Sequence, residues 1–269
     1  MPANPEARNL AVFCDFENVA LGVREAKYAQ FDMEKVLERL LAKGSIVVKK
    51  AYCDWERYKE FKATMHAAAF ELIEIPHVRQ SGKNSADIRM VVDALDLCYT
   101  KEHVDTFVIV SGDSDFSPLV SKLRENAKTV IGVGVKNSSS DLLINNCDEF
   151  IYYDDLVRAD EQKRRAAKKR RDAAPAGGAA GKDGANGDKK QEAFDLVLGT
   201  LEALLAERGA EEKIWGSMVK QALKRRHPGF NETYYGFRGF ADLLKEAQQK
   251  GLVKLEPDEK SGGYVVKPT

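Results

Sequence analysis

Thr106-Phe107-Val108-Ile109-Val110-Ser111-Gly112-Asp113-Ser114-Asp115-Phe116 sets the architecture of this chain. Its first five residues form an unbroken apolar run bounded by polar residues and glycine, the pattern of a buried strand. Its second half places two carboxylates at the carboxyl end of that strand, where open α/β sheets build their sites. A second apolar run, Leu10 to Cys14, ends in Asp15-Phe16-Glu17-Asn18. A third acid, Asp87, opens a helical pattern after Gly82-Lys83-Asn84-Ser85-Ala86.

Outward from these runs, strand and helix patterns alternate over residues 8–157. Strands are expected over 10–15, 45–53, 71–77, 106–111, 129–135 and 150–153. Helices are expected over 32–43, 55–70, 85–99, 116–126 and 138–146. Asp32 and Ser85 are candidate N-caps, and Gly44 a C-terminal stop. Alternating βαβ units imply an α/β fold with a mostly parallel sheet and helices on both faces. In the helix after residue 85, Asp87, Val91, Ala94 or Leu95, and Cys98 recur at helical spacing, which aims Asp87 along the sheet edge toward Asp15 and Asp113. Asp93 lies about 120° further round and is a weaker candidate for that edge.

The chain has 269 residues, 42 basic and 42 acidic side chains and 43% hydrophobic residues. That length suits about two domains. No window approaches the roughly 18 apolar residues of a membrane span, and the first residues lack the order of a secretory signal. Cys14, Cys53, Cys98 and Cys147 are far apart, which suits reduced thiols in a cytoplasmic protein. They have no zinc spacing with His66, His77, His103 or His227, and His77 and His103 read as plain edge residues. Positive charge gathers in Lys163-Arg164-Arg165 and Lys168-Lys169-Arg170-Arg171, then again at Lys220, Lys224, Arg225 and Arg226, a distribution that fits a polyanionic partner.

Beyond a basic and then Gly/Ala-rich linker over 158–190, residues 191–269 read as a second, smaller domain. Three helical patterns are followed by two strand patterns flanking a polar turn, Leu252–Glu256 and Gly263–Val266, which together resemble a winged helix-turn-helix.

Three segments that deliver acid to one sheet edge make most sense when a cation completes them, because packed carboxylates otherwise repel or take up protons. Mg²⁺ and Mn²⁺ prefer such oxygen ligands. Asp15 and Asp113 are the expected central ligands. Asp87 and Asp115 are further ligands, ligands through water, or groups that orient water. Asn18 can bond a metal-held water or fix a loop, and Ser111 can support a carboxylate or contact phosphate. Phosphodiester cleavage is the leading chemistry. No Gly-x-x-x-x-Gly-Lys-Ser/Thr loop, no Gly-x-Gly-x-x-Gly after the first strand and no serine elbow is present. Taken alone, Ser-Gly-Asp-x-Asp also describes a turn in which Asp caps a helix and Gly supplies an unusual dihedral.

The set Asp15-Phe16-Glu17-Asn18, Lys83-Asn84-Ser85-Ala86-Asp87 with Asp93, and Ser111 to Leu119 resembles the NYN domains of the PIN-like nuclease superfamily, in the branch related to LabA. The resemblance covers residues 8–157. It implies a Rossmann-like PIN fold and metal-dependent cleavage of RNA, with endonucleolytic cutting the expected mode. It implies Asp15, Asp87, Asp113 and Asp115 as the acidic site. Residues 227–244, His227-Pro228-Gly229-Phe230 through Leu243-Leu244, resemble a LOTUS (OST-HTH) domain, which implies RNA binding or protein docking. Phe230, Phe237, Phe240 and Leu244 are expected in its core. Contacts to nucleic acid are expected from Lys220, Lys224, Arg225, Arg226, Tyr235 and Arg238, and from Lys83 in the first domain. Self-association is a further expectation from the resemblance. A non-catalytic RNA-binding regulator and a protein-docking adaptor are the rival readings.

Overall fold

The computed structural model describes residues 8–28, 30–75, 84–161, 184–209, 212–258 and 263–269. The chain divides into two compact units, Met1–Leu37 with Ser45–Arg171 and Glu38–Gly44 with Asp172–Thr269.

In the first unit β1 (Arg8–Asp15), β2 (Gly44–Cys53), β3 (Glu71–Glu74), β4 (Thr106–Val110), β5 (Thr129–Gly134) and β6 (Glu149–Tyr152) form one sheet in the order β3-β2-β1-β4-β5-β6. The pairs β1–β4, β2–β3, β4–β5 and β5–β6 run parallel. Helices α1 (Phe16–Glu25), α2 (Met33–Lys43, of which the residues from Glu38 on belong to the second unit), α3 (Lys59–Ala67), α4 (Ser85–Thr100), α5 (Ser117–Glu125), α6 (Asp141–Asn146) and α7 (153–161) connect or follow the strands. Residues Leu10 to Cys14 of β1 and all of β4 are buried, as expected of central strands covered on both faces. Ala11, Phe13, Phe107 and Ile109 point to one face, where Met90 and Ala94 of α4 and Leu119, Val120 and Leu123 of α5 pack against them. The rings of Phe13 and Phe107 stack there with centroids 6.0 Å apart.

The order β3-β2-β1-β4-β5-β6 reverses direction between β1 and β4. Open α/β sheets bind ligands in the crevice at the carboxyl ends of the strands flanking such a reversal.

Helix α1 has no counterpart in the sequence pattern. It forms because Asp15 caps it and because Phe16, Val19 and Val23, at helical spacing, are all buried. Phe16 lies 5.1 Å from Trp55, which is itself buried in the turn before α3. Helix α3 is consequently shorter than the expected 55–70. Strand β3 stops at Glu74, and the expected extension to His77 falls partly outside the described residues. Helix α4 begins at Ser85 with Asn84, not Ser85, in the capping position. Helix α6 begins at Asp141 rather than 138, capped by Ser140, whose hydroxyl accepts from the Leu142 amide at 3.2 Å.

The second unit contains α8 (Gly184–Arg208), α9 (Gly216–Arg226), α10 (Phe240–Gln249) and an antiparallel hairpin of β7 (Val253–Asp258) and β8 (Gly263–Pro268). Residues 184–190, expected in the linker, are helical. The basic run at 163–171 lies outside the described residues. Phe194, Val197 and Leu201 of α8, Val219 and Leu223 of α9, and Leu243 and Leu244 of α10 share one core. Phe230, Phe237 and Phe240 are buried in it, as the sequence pattern anticipated. Trp215 bridges to Val265, so the start of α9 is tied to the hairpin. No described helix is long and apolar enough to cross a membrane.

The sheet core makes a testable demand. Phe13→Ala removes one stacked ring at the centre of the sheet and should cost about 3–5 kcal/mol. Ile88→Ala, on the exposed side of α4, should stay within about 0.5 kcal/mol of the parent. Urea unfolding of the two variants checks both values.

Candidate active site

The register that pairs Cys14 with Val110 makes Asp15 and Ser111 the next residues on adjacent strands. Ser111 Oγ donates to Asp15 Oδ2 at 3.0 Å in a buried setting. The same hydroxyl accepts from the Asp113 amide at 3.2 Å. One turn into α1, Asn18 Oδ1 accepts the Gly112 amide at 2.9 Å, and the Asn18 amide leans on Asp15 Oδ1 at 3.4 Å. Asp113 caps the short helical turn Ser114–Phe116, its Oδ1 accepting from the Asp115 amide at 2.9 Å. Asp87 stands in the first turn of α4, half-buried, while Asp115 is exposed.

Gly112 is required for space rather than for an unusual dihedral. A Cβ there would lie 2.3 Å from the Ser138 carbonyl oxygen and 2.9 Å from Ser139 Cα. The Ser140 amide donates to the Gly112 carbonyl at 2.9 Å. The loop after β4 is therefore clamped between α1 and the segment before α6, which holds Asp113 in place.

Burial, and after it the charge of Asp87, raises Asp15 from its ordinary 3.8 to about 7, against the lowering effect of the Ser111 and Asn18 bonds. Burial raises Asp87 to about 6, with Asp113, Asp115 and Glu17 adding repulsion. The four expected acids thus share one electrostatic environment, and Glu17 joins them. Glu17 is held by Arg57 at 3.1 Å. Glu17 belongs to the motif quoted from the sequence but was not expected in the site, and Arg57 was not singled out, because it reaches Glu17 only through the tertiary fold. Among the described residues, no three Asp, Glu, His or Cys side chains converge into a ready-made metal cage. The donor set nevertheless fits Mg²⁺ or Mn²⁺, which are commonly held by one or two carboxylates and several waters. It consists of oxygen ligands only, and a cation would offset both the burial and the added repulsion that raise Asp15 and Asp87.

Asp93 is turned away to a separate network. Its carboxylate accepts from Tyr52 Oη at 2.9 Å and from Arg89 Nε at 3.0 Å, with Lys50 at 3.5 Å. Lys83 and His77 lie outside the described residues. In the second unit Lys224 and Arg238 are exposed, and Lys220 pairs with Glu232 at 2.9 Å. Arg225 is half-buried, and Arg226 donates to the Gly199 carbonyl at 2.9 Å. Tyr235 is buried, stacked on Phe230 and bonded through its hydroxyl to Glu192 at 3.3 Å, a packing position rather than a stacking platform. The exposed ring is its neighbour Tyr234, which the sequence reading passed over. Lys189 Nζ lies 4.6 Å from the centroid of that ring.

A parallel sheet with acids gathered at the reversal of its strand order defines a Rossmann-like domain of the PIN type. The NYN domain family matches residues 9–154, and the chain belongs to that family, which is of the nuclease type. A crystal structure of a protein of unknown function, VPA0982 from Vibrio parahaemolyticus, is similar at 27% identity and a TM-score of 0.51, covering 57% of this chain and 98% of that one. Uncharacterized protein MJ0482 of Methanocaldococcus jannaschii is 29% identical over 125 residues, 46% of this chain and 49% of its own length. The chain thus spans about half the length of that curated relative.

The raised acids give a pH prediction with a definite sign. Between the ordinary 3.8 and about 7 the folded state holds a proton on Asp15 that the unfolded chain releases, so this group's contribution to stability is lost as pH rises through that window. Asp15→Asn should therefore stabilise the metal-free protein at pH 8 by at least about 1 kcal/mol, and by less at pH 5. Thermal melts at the two pH values measure the difference. Equal effects at both would contradict the assigned shift.

Proposed function

We propose that this protein is a metal-dependent ribonuclease that hydrolyses RNA phosphodiester bonds at the Asp15, Asp87, Asp113 and Asp115 edge, with endonucleolytic cutting. The observation that carries the reading is the gathering of these acids from three chain segments at the point where the sheet order reverses, where burial raises Asp15 and Asp87 and the neighbouring acids add to it. Membership of a nuclease-type family supports hydrolysis and points to RNA as substrate.

In this reading Asp15 and Asp113 would hold Mg²⁺ or Mn²⁺, and Asp87 and Asp115 would act as further ligands, bind through water or orient water. The bound ion would polarise a phosphoryl oxygen and make water a better nucleophile. Ser111 fixes the Asp15 carboxylate by donating to it. Asn18 locks the loop that carries Asp113 through the Gly112 amide. Without an ion, burial and the neighbouring acids keep a proton on Asp15 up to about pH 7, and a bound cation would favour its ionised form.

The second unit is proposed to be a winged helix-turn-helix of the LOTUS type that holds RNA for the first, with 158–190 acting as the linker between domains 8–157 and 191–269. Its exposed Lys224, Arg238 and Tyr234 are suited to phosphate and base contacts. The free thiols, three of them buried, suit the reducing cytoplasm.

Labelled single-stranded RNA incubated with Mn²⁺, Mg²⁺ or EDTA tests the reading. The parent should give metal-dependent products. Asp113→Asn should lose at least about 100-fold in rate while melting like the parent. Products of equal yield from both proteins would remove Asp113 from the site. Retention of RNA without product from either would assign the protein as a binding regulator.

For the second unit, Lys224→Ala and Arg238→Ala should each weaken RNA binding and lower the slope of log affinity against log salt by about 0.7. Anisotropy titrations at several salt concentrations read the slope. An unchanged slope in both variants would remove these residues from the RNA contact.

A further inference from the structure

Beside the acids lies a cavity of about 670 Å³, within the ~300–1,000 Å³ range of small-ligand sites. Asp87 and Asp115 form part of its lining, so it opens directly onto the edge where the reaction is placed. Its apolar lining includes Ile88 and Val92 of α4 and Leu142 of α6, which are 63%, 56% and 57% exposed. Branched aliphatic side chains left this open and gathered round one concavity mark a binding surface. The polar lining includes Ser117 and Ser121. Ser117 is only 5% exposed, yet its hydroxyl oxygen has no hydrogen-bond partner. A buried hydroxyl without a partner carries a desolvation cost that a ligand edge can offset.

We infer that this cavity receives one unstacked nucleobase of the RNA strand, next to the phosphate held at the acids. The inference rests on the ribonuclease reading and deepens it by naming the substrate class: single-stranded RNA, or an unpaired loop or bulge. A base has two apolar faces and a polar edge. The aliphatic side chains take the faces, and the Ser117 and Ser121 hydroxyls take the edge. A base held in a duplex cannot present its faces in this way without leaving the stack. The apolar face of a partner helix would match the aliphatic side chains but would leave the Ser117 hydroxyl and the two acids without complement.

The test uses full-length Asp113→Asn protein with Mn²⁺ and a short labelled single-stranded RNA in which one abasic position is moved along the strand. Binding is read by anisotropy, so no cleavage is needed. One abasic position should raise Kd by about tenfold while the others have little effect. Adding Ile88→Ser and Val92→Ser, both at exposed positions, should raise Kd for the intact strand by a similar factor. The two losses should not add, because they remove the same contact. Equal affinity for every abasic position, an undiminished affinity in the serine variant, or no binding of the strand at all would overturn the inference. A parent protein that gives no product while the single-position loss persists would end the hydrolytic reading and leave the base site standing. Sedimentation showing a parent dimer that the serine variant dissociates, together with a flat abasic scan, would overturn it in favour of a second copy of this chain as the occupant.

Discussion

The parallel pairing of β1 with β4 is the constraint on which the rest of the structure depends. Both strands are buried on each face, so their register is set by the core: a shift of one residue would turn Phe13 and Phe107 away from α4 and α5. That register brings Asp15 beside Ser111, and the hydroxyl of Ser111 is the hinge of the local polar network. It donates to Asp15 and accepts from the amide of Asp113, so one side chain links the acid ending the first strand to the acid beginning the loop after the fourth. The hydrophobic core thereby aims the carboxylates without touching them.

The same geometry works against stability. Asp15 is buried among other acids, and only two hydrogen bonds favour its charged form while desolvation and the neighbouring carboxylates oppose it. Such an arrangement persists because the surrounding backbone is overdetermined. Asn18 grips the Gly112 amide from one side, the Ser140 amide grips its carbonyl from the other, and the close approach of Ser138 leaves no room for a side chain on Gly112. Asp15 caps α1, but a helix cap alone needs neither the burial nor the acidic neighbours found at this sheet edge.

Much of this was legible in the sequence because the central strands announce themselves. Leu10–Cys14 and Thr106–Val110 are apolar at every position, or nearly so, and the acids that follow them are fixed by chain continuity alone. What stayed hidden depends on side-chain direction. Helix α1 was missed because Phe16 to Glu25 mixes two valines and a glycine, weak helix formers, and folds through an Asp15 cap and burial against Trp55 that only the tertiary structure supplies. In α4 the spacing argument chose Val91, Ala94 or Leu95, and Cys98, whereas the buried stripe is Met90, Ala94 and Cys98. The helix carries more apolar residues than one face needs, and spacing cannot tell which are surplus. Tyr234 and Tyr235 make the same point in the second unit. They are adjacent and chemically identical, and only packing against Phe230 decides which ring is in the core.

That surplus on α4 connects fold and function. A helix whose only task was to cover a sheet would carry polar residues at positions 88 and 92, since exposed branched aliphatics add nothing to folding stability and invite association. Here those residues lie one and five positions after Asp87, on the turns that border the acid edge, and the cavity they line is completed by residues of α5 and α6, whose start and capping segment also secure Gly112. The wall beside the acids and the clamp behind them are therefore built from neighbouring stretches of chain. A change that loosened the segment around Ser138–Ser140 would disturb the placement of Asp113 and the Leu142 side of the cavity together, so the acid edge and the proposed base site are mechanically coupled in this fold.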